Sequence, residues 1–225
     1  TSIMVGFNSS LKHRFNDNLH IFSSVSRGYK AGGINQNPYL DGSQRLYEPE
    51  YSTNLNVGFG YQKGNIDALI TAFYMQRHNQ QVRLFFQADT SDPLSFDYFT
   101  ANVTEGFNSG IETTIKYRLN KSLIFSSNFG YLNNFVESYR NPIDDTKEYG
   151  DREPAHSPDY SYSIIVNYFI RKNIYLSLES AGMDEFYFED QNYPKSKPYN
   201  IFNSSIGYTQ DKWSFTIWGK NIFDT

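Results

Sequence analysis

The chain contains no cysteine among its 225 residues. That excludes disulfides, zinc-thiolate centres and cysteine nucleophiles, and leaves the compartment open. It has no run approaching the roughly 18 to 20 apolar residues that a membrane-spanning helix needs. No basic n-region with a following apolar core stands at "TSIMVGFNSS", so no secretory leader is read there. A basic stripe is also missing: net charge is −4 and the isoelectric point is near 5.6, which argues against a nucleic-acid partner. Hydrophobic content is modest, with only 39% of residues hydrophobic, aromatics included, and a mean hydropathy of −0.60. Aromatics are what the chain has in plenty. Tyr and Phe each occur 19 times and aromatics make up 18% of the residues, more rings than so polar a soluble core would hold. Any membrane role must therefore be built from strands.

Strand periodicity runs from end to end. In "IDALITAFYMQ", Ile66, Ala68, Ile70, Ala72 and Tyr74 share one face. In "GIETTIKYRL", Ile111, Thr113, Ile115 and Tyr117 face away from Glu112, Thr114, Lys116 and Arg118; in "KWSFTIWGK", Trp213, Phe215 and Ile217 oppose Ser214, Thr216 and Trp218. Helical spacing is hard to find. Short polar turns are predicted at Asn16 to Asn18, Lys63 to Asn65, Leu119 to Lys121, Arg171 to Asn173 and Gln210 to Lys212, where Gly, Asn and Asp supply positive φ. Longer connections are predicted at Ala31 to Leu46, Gln87 to Asp97, Tyr139 to Ser157 and Tyr187 to Lys197. Between them lie ten predicted strands: Ile3 to Phe15, Leu19 to Tyr29, Tyr51 to Tyr61, Ile66 to Phe86, Tyr98 to Tyr117, Ser122 to Glu137, Asp159 to Phe169, Ile174 to Phe186, Tyr199 to Tyr208 and Trp213 to Gly219.

Turns alternate with loops, short then long. In an up-and-down meander this gathers all short turns at one end and all long loops at the other, the asymmetry of transmembrane barrels. An aromatic residue precedes each short turn (Phe15, Tyr61, Tyr117, Tyr168, Tyr208), and Trp213 follows the last. One level of rings around a wall is an interfacial girdle. The opposite strand face carries Glu112, Lys116, Asn128, Asn167, Glu179, Asn203 and Ser205. A dry sandwich core could not take so many polar groups, since each unpaired one costs a few kcal/mol. A water-filled or plugged lumen can. Several strands exceed the roughly 9 to 11 residues that cross a bilayer, so their excess is expected to project on the loop side.

Four segments, in order along the chain, resemble the TonB-dependent outer-membrane receptors. They are "SRGYKAGGIN" from Ser26, "YEPEYSTNLNVGFGY" with Pro49 and Glu50, "GFNSGIETTIKY" with Gly110 and Glu112, and the near-terminal "WGKNIFDT", where Ile222 stands in place of the usual Leu. The resemblance implies an all-β fold: a transmembrane antiparallel up-and-down β-barrel, with this chain supplying about ten strands of a 22-stranded barrel. Residues 1–225 would then be the C-terminal half of such a barrel, without the plug domain, the first barrel half or the last strand. The closing segment "WSFTIWGKNIFDT" reads accordingly as a strand cut from something larger. A half barrel with two open edges and an apolar outer face is not expected to be stable alone in water.

The same resemblance implies a receptor for active import, in the bacterial outer membrane, that works with the TonB energy-transducing complex and uses no cofactor or covalent chemistry. Its expected ligand is a ferric siderophore or a similar scarce small ligand. The haem receptors of the family carry an Arg-Ala-Pro segment and an Asn-Pro-x-Leu stretch near a His; here "NPYL" (Asn37 to Leu40) occurs, but the other segment reads "YKAGG" and no His is nearby. Ferric siderophores are bulky, often anionic and partly aromatic, so Arg and Tyr of the long loops are the candidate ligand-binding residues. These are Tyr29, Lys30, Tyr39, Arg45, Tyr98, Arg140, Tyr149, Arg152, Tyr187 and Tyr193. No metal site is expected, because His13, His20, His78 and His156 lack ligand spacing. "GYKAGG" matches neither phosphate-loop pattern and is read as a flexible loop. Two alternatives stand beside the receptor. One is a passive porin-like or structural barrel. The other is an outer-membrane protease using Asp144, Asp145, Glu148, His156 and Asp159, an acid pair and an Asp-His pair able to activate water.

Overall fold

The computed structural model describes residues 3–89, 91–143, 148–190 and 194–224, apart from the side chains at 103 and 104. Its elements in chain order are β1 (Phe7–Asn16), β2 (Leu19–Lys30), β3 (Gly33–Ile34), α1 (Gly42–Arg45), β4 (Leu46–Tyr47), β5 (Glu50–Lys63), β6 (Ile66–Gln87), β7 (Phe96–Arg118), β8 (Leu123–Val136), β9 (Tyr139–Arg140), β10 (Glu148–Tyr149), β11 (Tyr160–Arg171), β12 (Ile174–Met183), β13 (Tyr199–Gln210) and β14 (Trp213–Gly219). Ten of these form one antiparallel sheet in the order β1-β2-β5-β6-β7-β8-β11-β12-β13-β14. Each strand lies beside its predecessor, as hairpin connections require. The ten predicted strands are the ten observed, with two notable end shifts. Residues 3–6 stand outside β1, and β12 stops at Met183 rather than Phe186. There the chain turns away, with Asp184 N donating to Tyr160 O at 3.0 Å and Glu185 N to Asp184 Oδ1 at 2.9 Å.

The turn chemistry follows the sequence. Gly64 and Asp211 take positive φ, at 57° and 46°; Asn16 Oδ1 accepts from Asn18 N at 2.9 Å, and Asn120 Oδ1 from Ser122 N at 2.8 Å. These side-chain bonds replace ladder bonds that a tight reversal cannot make. The long connections carry structure of their own that periodicity did not reveal. β3 pairs with β4, β9 with β10, and α1 is a single turn whose Gln44 Oε1 accepts from Asp41 N at 3.1 Å. Two-residue strands and one helical turn are too short to print a period.

Register separates the two faces. One row across the sheet runs Ser23, Val57, Ala72, Ile111 and Tyr131; the adjacent row runs Phe22, Gly58, Thr71, Glu112, Gly130 and Ser161. Pleating sends these rows to opposite sides. Continuing the alternation puts Leu55, Phe59, Ile70, Ile164, Ile206, Phe215 and Ile217 on the first side, all exposed. Glu112, Lys116, Asn128, Asn167, Glu179, Asn203 and Ser205 all lie on the second. The girdle residues Tyr61, Tyr117, Tyr168, Tyr208 and Trp213 fall on the apolar side, at the short-turn end. Phe15 alternates onto the same side, its ring meeting His13 edge-on at 4.8 Å. A hollow of about 460 Å3 on the polar side is lined from β7 to β13 by Glu112, Thr114, Asn128, Ser163 and Tyr199. The sheet is therefore concave toward its polar face, as a barrel wall is.

Large apolar residues are exposed through the strand bodies, and the buried cluster found among the described residues sits beyond them. It comprises Leu40, Val82, Leu84, Phe86, Phe99, Val136 and Tyr139. β6 and β7, at 22 and 23 residues, reach about 70 Å if fully extended, far past a bilayer. The pairing shifts between Arg77, Gln80 and Gln81, where Asn79 adopts φ 54°. A bulge of this kind re-aims a strand. Above it residues 80–89 and 96–102 form a platform on which residues of the 31–49 loop and residues 137–143 and 148–159 pack, Leu40 and Tyr139 entering the buried cluster and Asn141 Nδ2 donating to Phe85 O at 2.9 Å.

Candidate functional site

The hairpin has two unlike faces beyond its bulge. Val82, Leu84, Phe86 and Phe99 point into the buried cluster. Arg83, Phe85, Phe96 and Tyr98 face the other way and line a cavity of about 460 Å3 with Ala155, His156, Phe188, Glu189 and Asp190. Strand alternation makes both faces from one stretch, "VRLFF" against "FDYF". Cross-strand pairing then assembles the rings, Phe85 opposite Tyr98 and Leu84 opposite Phe99.

The cavity wall is aromatic and cationic. Phe85 meets Phe96 edge-on at 5.6 Å and Tyr98 at 6.4 Å. The Arg83 guanidinium lies over the Tyr98 ring, 4.4 Å from its centroid. Stacking holds this planar cation while leaving its edge donors to a ligand. Across the cavity, His156 packs on Phe186 at 5.6 Å and Phe186 on Phe188 at 5.8 Å. Asp190 Oδ1 accepts from Ala155 N at 2.6 Å, which ties the two loops together. Such a site can stack a ring and bind an anionic oxygen.

Of the residues expected from the sequence, Tyr98 lines the cavity and Arg152 and Tyr187 stand behind it. Arg152 lies over the Tyr187 ring at 4.0 Å and donates to Glu189 O at 2.8 Å, while Lys195 Nζ also lies over the Tyr187 ring, 4.4 Å from its centroid. Arg45 instead fastens its own loop, donating to Leu40 O at 3.0 Å and Pro38 O at 3.4 Å; Tyr39 beside it is exposed. Tyr29 pairs with Tyr51 and Lys30 with Glu50 at the end of β2. Arg140 pairs with Glu148 and Tyr149 with Tyr139 in the β9–β10 ribbon. Tyr193 lies outside the described residues. Arg83, Phe85, Phe96 and Phe188 escaped sequence reasoning, and His156 entered it only as a histidine without metal-ligand spacing and as part of the proteolytic alternative. Their only signal was the odd-numbered spacing of Arg83 and Phe85, which names a face and not its neighbours.

Electrostatics around the loops is shaped by burial. Tyr139, buried in the cluster with its hydroxyl unpartnered, has its pKa pushed up to about 12, first by burial and then by Asp190. Asp159 is raised by burial and by its acidic neighbours Glu153 and Asp184. Lys195 is raised, chiefly by its hydrogen bond to Glu185 at 3.0 Å. Among the described residues no group of His, Asp and Glu is arranged to hold a metal ion. Of the acidic loop weighed as a proteolytic centre, Asp144 and Asp145 lie outside the described residues. Glu148 faces Arg140 and His156 packs on Phe186.

Comparison with known proteins fits this architecture. Residues 5–222 match the family model "TonB dependent receptor-like, beta-barrel". The fold is shared with the ferric yersiniabactin uptake receptor FyuA from Yersinia pestis, at TM-score 0.77 and 19% identity over 97% of this chain and 32% of that one. It is shared too with the siderophore receptor PirA from Acinetobacter baumannii, at TM-score 0.67 and 15% identity over 97% and 37%. The copper transporter OprC gives TM-score 0.73 and 14% identity over 96% and 33%. This chain thus spans about a third of the length of those proteins. Their names describe an uptake receptor, a siderophore receptor and a transporter. A ten-strand meander with a polar concave face and an apolar outer face, matched over nearly its whole length, belongs to the TonB-dependent receptor β-barrel family.

Proposed function

We propose that this chain is wall and ligand-capturing loops of a receptor that imports a ferric siderophore across the outer membrane of a Gram-negative bacterium. The observation that carries the reading is the aromatic, arginine-bearing cavity of Arg83, Phe85, Phe96 and Tyr98, raised above the strand bodies on the 80–102 hairpin. In this arrangement the apolar face of the ten-strand sheet contacts lipid, the short turns are periplasmic and the long loops are extracellular. The family match and the siderophore receptors among the similar structures support the ligand class. We place residues 1–225 in the C-terminal half of a 22-stranded barrel, the size class that encloses a filled lumen.

The wall contributes capture and a fixed frame. A ligand held by ring stacking and a guanidinium stays at the mouth until the plug, pulled through TonB, opens a path along the polar face. No covalent step is involved, and iron is cargo. The test is uptake by the full-length receptor in outer membranes. Radiolabelled iron would be presented as a panel of ferric siderophores and as haem, with cobalamin and copper in parallel, with and without functional TonB. Concentrative uptake of one ferric chelate only with TonB is the expected result. Free diffusion of small solutes without TonB dependence would replace the receptor with a passive barrel.

A further inference from the structure

The apolar side of the sheet carries a second level of rings, toward the loop end, and the pairing fixes its height. Tyr51, Phe107 and Tyr160 point to that side from β5, β7 and β11, eight or ten positions from the short-turn rings of the same strands, Tyr61, Tyr117 and Tyr168. Eight to ten strand residues tilted by about 35 to 45° climb about 19 to 28 Å, against an apolar band of about 25 Å on membrane barrels. From β5 to β11 both ring levels step through the register toward the short-turn end, as a plane crossing tilted strands must. Tyr74 stacks on Phe107 at 6.1 Å and Phe107 on Phe135 at 6.0 Å, which makes the upper rings continuous across β6, β7 and β8. Between the two levels no Asp, Glu, Lys or Arg among the described residues of the ten strands points to the apolar side; Lys12, Arg14, Asp67, Glu112, Lys116 and Glu179 all point to the other. Charge appears on the apolar side at the upper rings and just beyond them. Arg27 lies over the Tyr51 ring, 4.6 Å from its centroid, and His78 Nδ1 meets Glu105 Oε1 at 3.2 Å.

We propose that the outer-leaflet interface crosses this wall at the level of Tyr51, Phe107 and Tyr160, with lipid hydrocarbon below it and headgroup phosphates around Arg27. The inference rests on the reading of this chain as outer-membrane barrel wall and is independent of which ligand is carried. Amphipathic rings settle where hydrocarbon meets headgroups, and a guanidinium there finds phosphate oxygens as partners. A charge lower on the same face would be held in hydrocarbon, and none is found there. β6 runs on past the interface: Arg83 and Phe85 lie five and seven positions beyond His78, about 15 to 25 Å further along the strand. The loop cavity therefore stands clear of lipid, in the aqueous space above the headgroups.

The experiment measures how fast single cysteines in the full-length receptor, held in outer membranes, react with a membrane-impermeant anionic maleimide. Each variant unfolded in SDS gives the reference rate, and the unaltered receptor gives the background. His78→Cys and Glu105→Cys stand above the proposed level on the apolar side, Leu55→Cys and Ile111→Cys below it, and Val57→Cys and Thr113→Cys near the middle of the band. The first two should react within about tenfold of their unfolded rates, and the other four should be slowed about a hundredfold or more, the scale on which a charged group is kept out of hydrocarbon. Protection of His78→Cys and Glu105→Cys equal to that of Val57→Cys places the interface higher and overturns the inference. Fast reaction at Leu55→Cys and Ile111→Cys, with Val57→Cys and Thr113→Cys still protected, places it lower and also overturns the inference, while the barrel reading stands. Fast reaction at all six positions overturns the barrel reading as well.

Discussion

Glu50 is the residue whose loss should most clearly unfasten the loop end from the barrel wall. It is 8% exposed, at the first position of β5. Its Oε1 accepts from Arg77 Nε at 2.9 Å and Nη2 at 2.6 Å, and its Oε2 from the backbone N of Gln81 at 3.0 Å. The Gln81 side chain then donates to Ala31 O at 2.9 Å and Glu48 O at 3.0 Å, the two ends of the loop that carries α1. Glu50→Ala removes three charge-assisted bonds at once and leaves Arg77 and the Gln81 N–H to be resolvated. Breaking a buried pair by deleting one partner costs about 3 to 5 kcal/mol. The Arg77 side chain is 27% exposed and recovers some hydration, so a cost of about 2 to 3 kcal/mol is the reasonable figure. If that cost falls on the docked loop, its open population rises roughly 30- to 150-fold. Limited trypsin digestion of the full-length receptor in outer membranes reads it, because Arg45 lies inside the loop with its side chain tied down. Cleavage after Arg45 should accelerate by that factor in Glu50→Ala and by less in Glu50→Gln, which keeps an acceptor for Gln81. A rate within twofold of the unaltered protein, or an equal rise at the Arg171–Lys172 turn, would refute the clamp.

Three further outcomes test other parts of the structure. Val57→Arg puts a cation on the apolar face and should cost about 2 to 4 kcal/mol in a bilayer, whereas Asn56→Arg on the polar face should be tolerated; heat-modifiability of the refolded receptor on gels distinguishes them, and equal effects would contradict the facing. Gly110→Ala should destabilise by about 1 to 3 kcal/mol, because a Cβ there would sit 2.1 Å from Tyr131 O and 2.8 Å from Phe73 Cζ; a denaturant titration that matches the unaltered receptor would refute the close approach. Tyr139 ionises near 10 when unfolded and about 12 when folded. The unfolded chain therefore sheds its proton first, and this contribution to stability, full below pH 10, declines as pH rises toward 12. Tyrosinate absorbance should show one late-titrating ring that Tyr139→Phe removes, and that variant should be at least as stable, since the hydroxyl it deletes is buried without a partner.

The strand bodies were legible because their signal is local. Ile66 to Tyr74 alternates, the turn before it needs positive φ at Gly64, and both facts are properties of adjacent residues. A one-residue slip would turn every apolar side chain to the wrong face, so alternation carried the register as well as the strand. The polar row of Glu112, Asn128, Glu179 and Asn203 was readable for the same reason. The bulge at Asn79 was not, because nothing in "QRHNQQ" breaks the pattern strongly, and beyond it the inward and outward faces of β6 are set by the pairing shift.

The loop cavity lay further out of reach. Arg83 is 15 positions from Tyr98, and both are more than 50 from His156; only the hairpin and the packing of two separate loops place them around one space. Arg45 illustrates the converse, a loop arginine of the expected type that the fold spends on its own carbonyls. The strands, their order, the two unlike faces and the family are written in the chain, because each rests on the two-residue period or on contiguous motifs. Tertiary structure alone decided which loop side chains meet, because side chains distant in the chain become neighbours only when register, bulge and loop packing are all in place.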